Sequence, residues 1–110
     1  MELFDITDKQ SFRKMEILET LRLVIDPELE INIIDLGLVY EVKIDEEDRI
    51  IFIEMTLSSP NCPMGATIVA AVENCLEHHF PLYKPSVNLV WEPQWSFELI
   101  TEEGKRLLGL

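Results

Sequence analysis

The sequence predicts an α+β fold: a two-layer sandwich in which a small mixed sheet of about three strands is covered by two helices. The order is helix, strand, strand, helix, strand, with a short C-terminal helix. Three observations lead there. Apolar residues recur at helical spacing before residue 26 and again between 64 and 76. Strict two-residue alternation runs through 36–44 and resumes at 50–57 beyond a short polar break. The chain has 110 residues, 47% of them hydrophobic, enough for one domain that buries about two-thirds of its unfolded surface and too few for two.

Thr7-Asp8-Lys9-Gln10 has the spacing of a capping box and precedes Phe12, Met15, Leu18, Leu21 and Ile25, an apolar stripe at helical intervals. Pro27 disfavours helical geometry at Asp26, so the first helix is expected to end there. Residues 27–35 fit neither period and read as an ordered loop with small apolar anchors of its own. In the first strand Leu36, Leu38, Tyr40, Val42 and Ile44 share the core face, opposite Gly37, Val39, Glu41 and Lys43. Asp45-Glu46-Glu47-Asp48-Arg49 is the break, and Ile51, Ile53, Met55 and Leu57 carry the core face of the second strand, which closes a hairpin with the first. Carboxylates crowded into such a turn are ordinarily solvated, so a metal site is the less favoured reading.

Beyond the second strand Met64, Ile68, Ala71, Val72, Cys75 and Leu76 form the buried stripe of a second helix over 63–79. His78 and His79 close it, where partial positive charge suits the carbonyl end. Residues 86–92 form the third strand, with Val87, Leu89 and Trp91 inward and Pro93 ending it. Trp95 and Phe97 read as a staple that fixes the C-terminal segment across the core, in preference to a cofactor box. Thr101 caps a last helix over 102–108, stopped by Gly109.

Charge narrows the function. With 21 acidic and 9 basic residues the net charge is −12, and no compensating basic stripe is present. Nucleic acid is excluded as a partner because phosphate neutralisation needs clustered Lys and Arg, and anionic membrane surfaces are disfavoured for the same reason. No apolar run approaches the roughly 18 residues of a membrane span, and the first residues lack a signal-peptide pattern, so a cytoplasmic location is expected. Two cysteines give no disulfide framework. Along one helix Cys62 and Cys75 would stand about 20 Å apart, too far to bridge.

Cys62 is the residue with chemistry to offer. It sits in Met55-Thr56-Leu57-Ser58-Ser59-Pro60-Asn61-Cys62-Pro63, where a strand pattern gives way to a helical one. Pro63 suits a first helical turn, which makes Asn61 or Cys62 the cap. A thiol there meets unpaired backbone N–H groups and the positive end of the helix dipole, both of which favour thiolate. An inert small apolar residue is the equally weighted alternative. Cys75, on the apolar stripe, reads as a core thiol. A nucleophilic mechanism lacks its base, since His78 and His79 would lie about 24 Å along the helix from Cys62, and that distance also excludes a Cys–His metal site within the chain. Dithiol redox chemistry lacks a partner cysteine, and no glycine-rich phosphate loop occurs. One thiolate cannot hold an iron–sulfur cluster alone, so a metal species at Cys62 would be transient or shared with another chain. Asp26 and Glu28 frame Pro27 as exposed carboxylates on a constrained loop, although read from the residues alone a plain helix-end turn is the favoured explanation over a site.

Four ordered motifs carry a family resemblance: Ile25-Asp26-Pro27-Glu28-Leu29, Ile33-Ile34-Asp35-Leu36-Gly37-Leu38-Val39-Tyr40, the segment from Met55 to Pro63, and Leu89-Val90-Trp91-Glu92-Pro93-Gln94-Trp95. Together they resemble the MIP18 or DUF59 family, with its SufT-type and PaaD-type members, from about residue 13 onward. The resemblance implies one domain over 1–110, with a core at 11–95 and a tail at 96–110. It implies a non-enzymatic accessory or targeting factor in iron–sulfur cluster assembly and iron–sulfur protein maturation, whose partners are assembly proteins and client apo-proteins. The implied site is Asp26, Glu28, Leu29, Ser58, Ser59 and Cys62 on one surface. Cys62 would be the thiolate that touches iron, a cluster or a partner thiol; Asp26 and Glu28 would orient or shield it. No stably bound cofactor is expected, only transient iron or an iron–sulfur cluster, and a homodimer is compatible with the sequence. Ser58 and Ser59 stand where the family commonly has threonine, and Gln94 where a second proline is frequent. The alternatives are an accessory protein of a multicomponent ring oxygenase, whose PaaD-type form would carry further C-terminal cysteines, and a thiol-dependent enzyme with Asp26 or Glu28 as base.

Overall fold

The computed structural model describes residues 9–58 and 65–109. Their order is α1 (Lys9–Leu21), β1 (Val39–Asp45), β2 (Ile50–Met55), α2 (Gly65–His79), β3 (Lys84–Leu89) and α3 (Glu102–Leu108), with a single 3₁₀ turn, Phe97–Leu99, before the last helix. The strands form one sheet in the order β1-β2-β3. β1 and β2 are antiparallel, as the four-residue polar connection over 46–49 allows, whereas β2 and β3 are parallel because α2 carries the chain back between them. The sheet is therefore mixed, and the expected α+β order holds.

The core lies on one face of the sheet. Val42 and Ile44 of β1 and Ile51, Ile53 and Met55 of β2 are buried there against Ile17 and Leu21 of α1 and Ile68, Val72 and Leu76 of α2. The alternate residues Glu41, Phe52, Glu54, Ser86 and Asn88 are exposed on the other face. The α2 stripe follows the expected spacing. That of α1 does not: Phe12 and Met15 are 54% and 47% exposed, and the buried contact is made by Ile17 and Leu21, with Leu18 half-covered. Phe12 and Met15 fit the helical period as well as Ile17 does, and only the position of α2 selects the face. The capping-box residues Thr7 and Asp8 lie outside the described residues.

Three boundaries differ from expectation. The first helix stops at Leu21, four residues before Ile25, and unwinds through successive i to i−3 bonds from Arg22, Leu23 and Val24. Val24 and Ile25 are then extended, and Ile25 bridges Asn32. A strand cannot begin at Leu36 because Gly37 takes a left-handed φ of 74°, so β1 starts at Val39; the bulge between Val39 and Glu41 packs Val39, and not the expected Tyr40, against the core, with the expected alternation resuming at Val42. β3 runs from Lys84 to Leu89, and Trp91, expected inward, is 44% exposed beyond its end.

The tail closes the same side. Trp95 Nε1 donates to the Leu36 carbonyl at 2.6 Å and its ring meets Phe97 edge-on, which is the expected staple, although Phe97 itself is exposed. Thr101 Oγ1 accepts from Gly104 N at 3.0 Å, and Gly109 ends α3 with φ 81°. No helix among the described residues is long and apolar enough to cross a membrane.

Candidate functional site

Pro27 holds Asp26 out of helical geometry, and the chain turns back on itself within five residues. Asp26 N donates to the Ile31 carbonyl at 2.9 Å, and Glu30 N donates to the Asp26 carbonyl at 2.7 Å. Glu30 adopts φ 61° to close this turn. Asp26 Oδ1 accepts from Glu28 N at 2.8 Å and Leu29 N at 3.1 Å, so the carboxylate acts as a local cap over Pro27. The expected exposure of Asp26 is corrected here: its side chain is inside the turn, with 0% of the residue accessible, because the two N–H groups following Pro27 draw it inward. Glu28 is exposed and Leu29 half-buried. The second oxygen, Asp26 Oδ2, is buried and has no hydrogen-bond partner among the described residues. A buried carboxylate oxygen in that condition is costly, and such groups gather where a protein has a use for them.

A relay of backbone hydrogen bonds fixes where this turn lies. Ile33 N donates to Val24 O, Leu38 N to Ile33 O, and Thr56 N to Leu38 O, at 3.0, 3.1 and 2.8 Å. The acidic turn is thereby tied through the loop to the exit of β2, two residues before Ser58. Ser58 is half-buried at a bend. Thus Asp26, Glu28 and Leu29 share one turn, and Ser58 stands on the chain that the relay anchors. Ser59 and Cys62 lie outside the described residues, as does the expected start of the second helix before Gly65.

The organising residue that sequence reasoning did not single out is Asp35. It is buried and receives Arg22 Nη1, Asn32 Nδ2 and Thr101 Oγ1, each at 2.8 Å. Its backbone also takes part: the Asp35 carbonyl accepts from Thr101 N at 2.8 Å, and Asp35 N donates to Asn32 Oδ1 at 2.8 Å. One carboxylate thus joins the end of α1, the loop and the cap of α3. Burial alone would push the Asp35 carboxyl up, but the hydrogen bonds from Asn32, Thr101 and Arg22 together hold it below its usual value. Neither spacing nor composition announces this, because two of its three side-chain partners, Arg22 and Thr101, are 13 and 66 residues away.

The second thiol behaves as expected of a core residue. Cys75 packs against the core and its Sγ lies 3.5 Å from the Thr20 carbonyl, while burial pushes its pKa up. His79 Nδ1 lies 3.0 Å from the Cys75 carbonyl, an end-of-helix contact in which the carbonyl accepts. At the hairpin tip Asp45 Oδ1 accepts from Glu47 N and Asp48 N, both at 3.0 Å, so that carboxylate organises the turn. Among the described residues no group of three or more His, Cys, Asp and Glu could hold a metal ion.

Similarity to known proteins now bears on this geometry. A family model described as iron–sulfur cluster assembly protein matches residues 14–84, a span that includes the acidic turn, the relay, Ser58 and Cys62. The chain belongs to this family. It is 41% identical over 88 residues to the Fe–S protein maturation auxiliary factor SufT of Staphylococcus aureus, covering 80% of this chain and 99% of that protein. It is 38% identical over 97 residues to the auxiliary factor YitW of Bacillus subtilis, covering 88% of this chain and 94% of the relative. The crystal structure of a DUF59 domain from Bacillus anthracis superposes with a TM-score of 0.86 at 39% identity, over 92% of this chain and 95% of that one. The resemblance read from the four motifs is therefore family membership.

Proposed function

We propose that this protein is an auxiliary factor in the maturation of iron–sulfur proteins, working in the cytoplasm through protein contacts and without catalysing a reaction of its own. The observation that carries this reading is near full-length similarity to SufT, with 99% of that maturation factor covered. The chemistry is that of a single soft ligand. A thiolate at Cys62 would bind iron or a cluster edge as cargo and release it to a client, because one donor cannot close a coordination shell. The acidic turn would sit beside it, with Asp26 Oδ2, which has no hydrogen-bond partner among the described residues, ready to accept a hydrogen bond and Glu28 displayed at the surface. A −12 chain suits docking to basic clients and assembly proteins, since complementary charge raises association rates.

The test is Cys62→Ser in cells whose iron–sulfur enzymes depend on this protein. The expected outcome is enzyme activity as low as in cells lacking the protein, with the variant present at normal level and showing an unchanged circular dichroism spectrum. Full iron–sulfur enzyme activity with Cys62→Ser would overturn the role given to the thiol.

A further inference from the structure

The two edges of the sheet are not alike. β1 carries a bulge at its start and the acidic residues Glu41 and Asp45, the usual devices that stop an edge from pairing with another chain. β3 has neither. From His78 to Trp91 the chain runs 14 residues without Asp or Glu, although 21 of its 110 residues are acidic. The ladder shows what this edge offers. Lys84 N donates to Arg49 O and Val90 N to Met55 O, each at 2.8 Å, at the two ends of a parallel register. The even-numbered residues of β3 therefore face β2, and Pro85, Val87 and Leu89 turn their backbone groups outward. Proline has no N–H to lose at such a position. Among the described residues nothing pairs with this side. The core-facing side chains of β3 are also incompletely covered: Val87 and Leu89 are half-buried, whereas Val42 and Ile44 on the opposite edge are buried.

We propose that two copies of this chain pair antiparallel through their β3 edges, joining two three-stranded sheets into one of six strands. Charge selects the occupant. Acid-bearing surfaces of a −12 chain repel a second copy, and the Pro-Ser-Val-Asn-Leu edge is the uncharged exception. Geometry selects the register. With Asn88 opposite the partner's Asn88, the N–H and C=O of Val87 meet those of the partner's Leu89, and the reverse. A register centred on Val87 would instead set each Leu89 carbonyl against a proline nitrogen without hydrogen. The pairing is independent of the maturation reading, because none of its residues belongs to the acidic turn or the Cys62 segment.

Sedimentation equilibrium of the full chain should show a mass that rises from 12.8 kDa toward twice that value with concentration, and more readily in salt, which screens the repulsion between copies. Amide exchange on the unmodified protein should show Val87 and Leu89 gaining protection as the dimer forms, with Ser86 and Asn88 protected throughout. Asn88 faces solvent on the open side of the sheet, so Asn88→Glu and Asn88→Lys spare the core; each alone should weaken association about tenfold or more by placing like charges opposite each other, and mixing the two should restore it. A mass fixed at 12.8 kDa, unchanged Val87 and Leu89 exchange, or an Asn88→Glu variant that associates like the unmodified chain would overturn the proposal. So would protection of those amides that appears only when a client protein is added.

Discussion

Asp26 divides its carboxylate between two tasks. Oδ1 satisfies two backbone N–H groups, and Oδ2 remains buried without a partner among the described residues. Removing the side chain and removing only its charge should therefore have different consequences. Asp26→Ala deletes both accepted hydrogen bonds and is expected to destabilise the fold by about 2 kcal/mol. Asp26→Asn keeps an oxygen where Oδ1 stands and is expected to cost less than about 1 kcal/mol in urea unfolding, because the group it replaces at Oδ2 makes no hydrogen bond among the described residues. If the carboxylate serves the cargo, Asp26→Asn is the variant that lowers iron–sulfur enzyme activity in cells while leaving stability near that of the unmodified chain. Equal losses of stability in the two variants would show that Oδ1 is not what holds the turn.

Among the elements, the 3₁₀ turn closes on the chain just before β1, at Gly37. A Cβ at Gly37 would lie 2.2 Å from the Leu99 carbonyl oxygen, and its φ of 74° already disfavours any other residue. Gly109 has a similar φ of 81° but open space around it. Comparing the two separates strain from collision. Gly109→Ala should cost about 1 kcal/mol from backbone conformation alone, and Gly37→Ala about 3 kcal/mol or more, read as shifts in urea midpoint. Similar costs at both sites would mean that the Leu99 segment can move aside. The end of α2 and the extent of α3 could be read from spacing and caps, because those signals are local: Thr101 and Gly109 bracket α3 in sequence as they do in space. The face of α1 could not, since Phe12 and Met15 satisfy the same period as Ile17.

Across the whole molecule, Asp35 is the junction on which helix, loop and tail converge. Its pKa is held below 3.8, so the ionised form is favoured more in the folded state than in the unfolded one. The resulting stability is fully present above about pH 4 and is lost as pH falls through the lower folded value. Asp35→Asn, which cannot ionise, should be less stable than the unmodified chain by about 2 kcal/mol at neutral pH. That difference should shrink as the unmodified chain is protonated below the usual carboxylate range, a trend that urea midpoints at several pH values would trace. A difference independent of pH would mean that hydrogen-bond geometry, and not charge, makes the junction.

The sequence by itself determined the fold class, the element order, the hairpin, the caps of α3 and the family, because each depends on periodicity, turn chemistry or motifs confined to short stretches of chain. It also marked Asp26-Pro27-Glu28-Leu29 as a constrained turn, but it could not say that Asp26 points inward. That depended on how the two N–H groups after Pro27 were satisfied, and the relay to β2 depended on bonds between residues distant in the chain. Tertiary structure alone decided which face of α1 is buried, that Asp35 is the junction of helix, loop and tail, and that the β3 edge has no pairing partner among the described residues. In each case several local solutions were equally good in sequence, and long-range packing selected one.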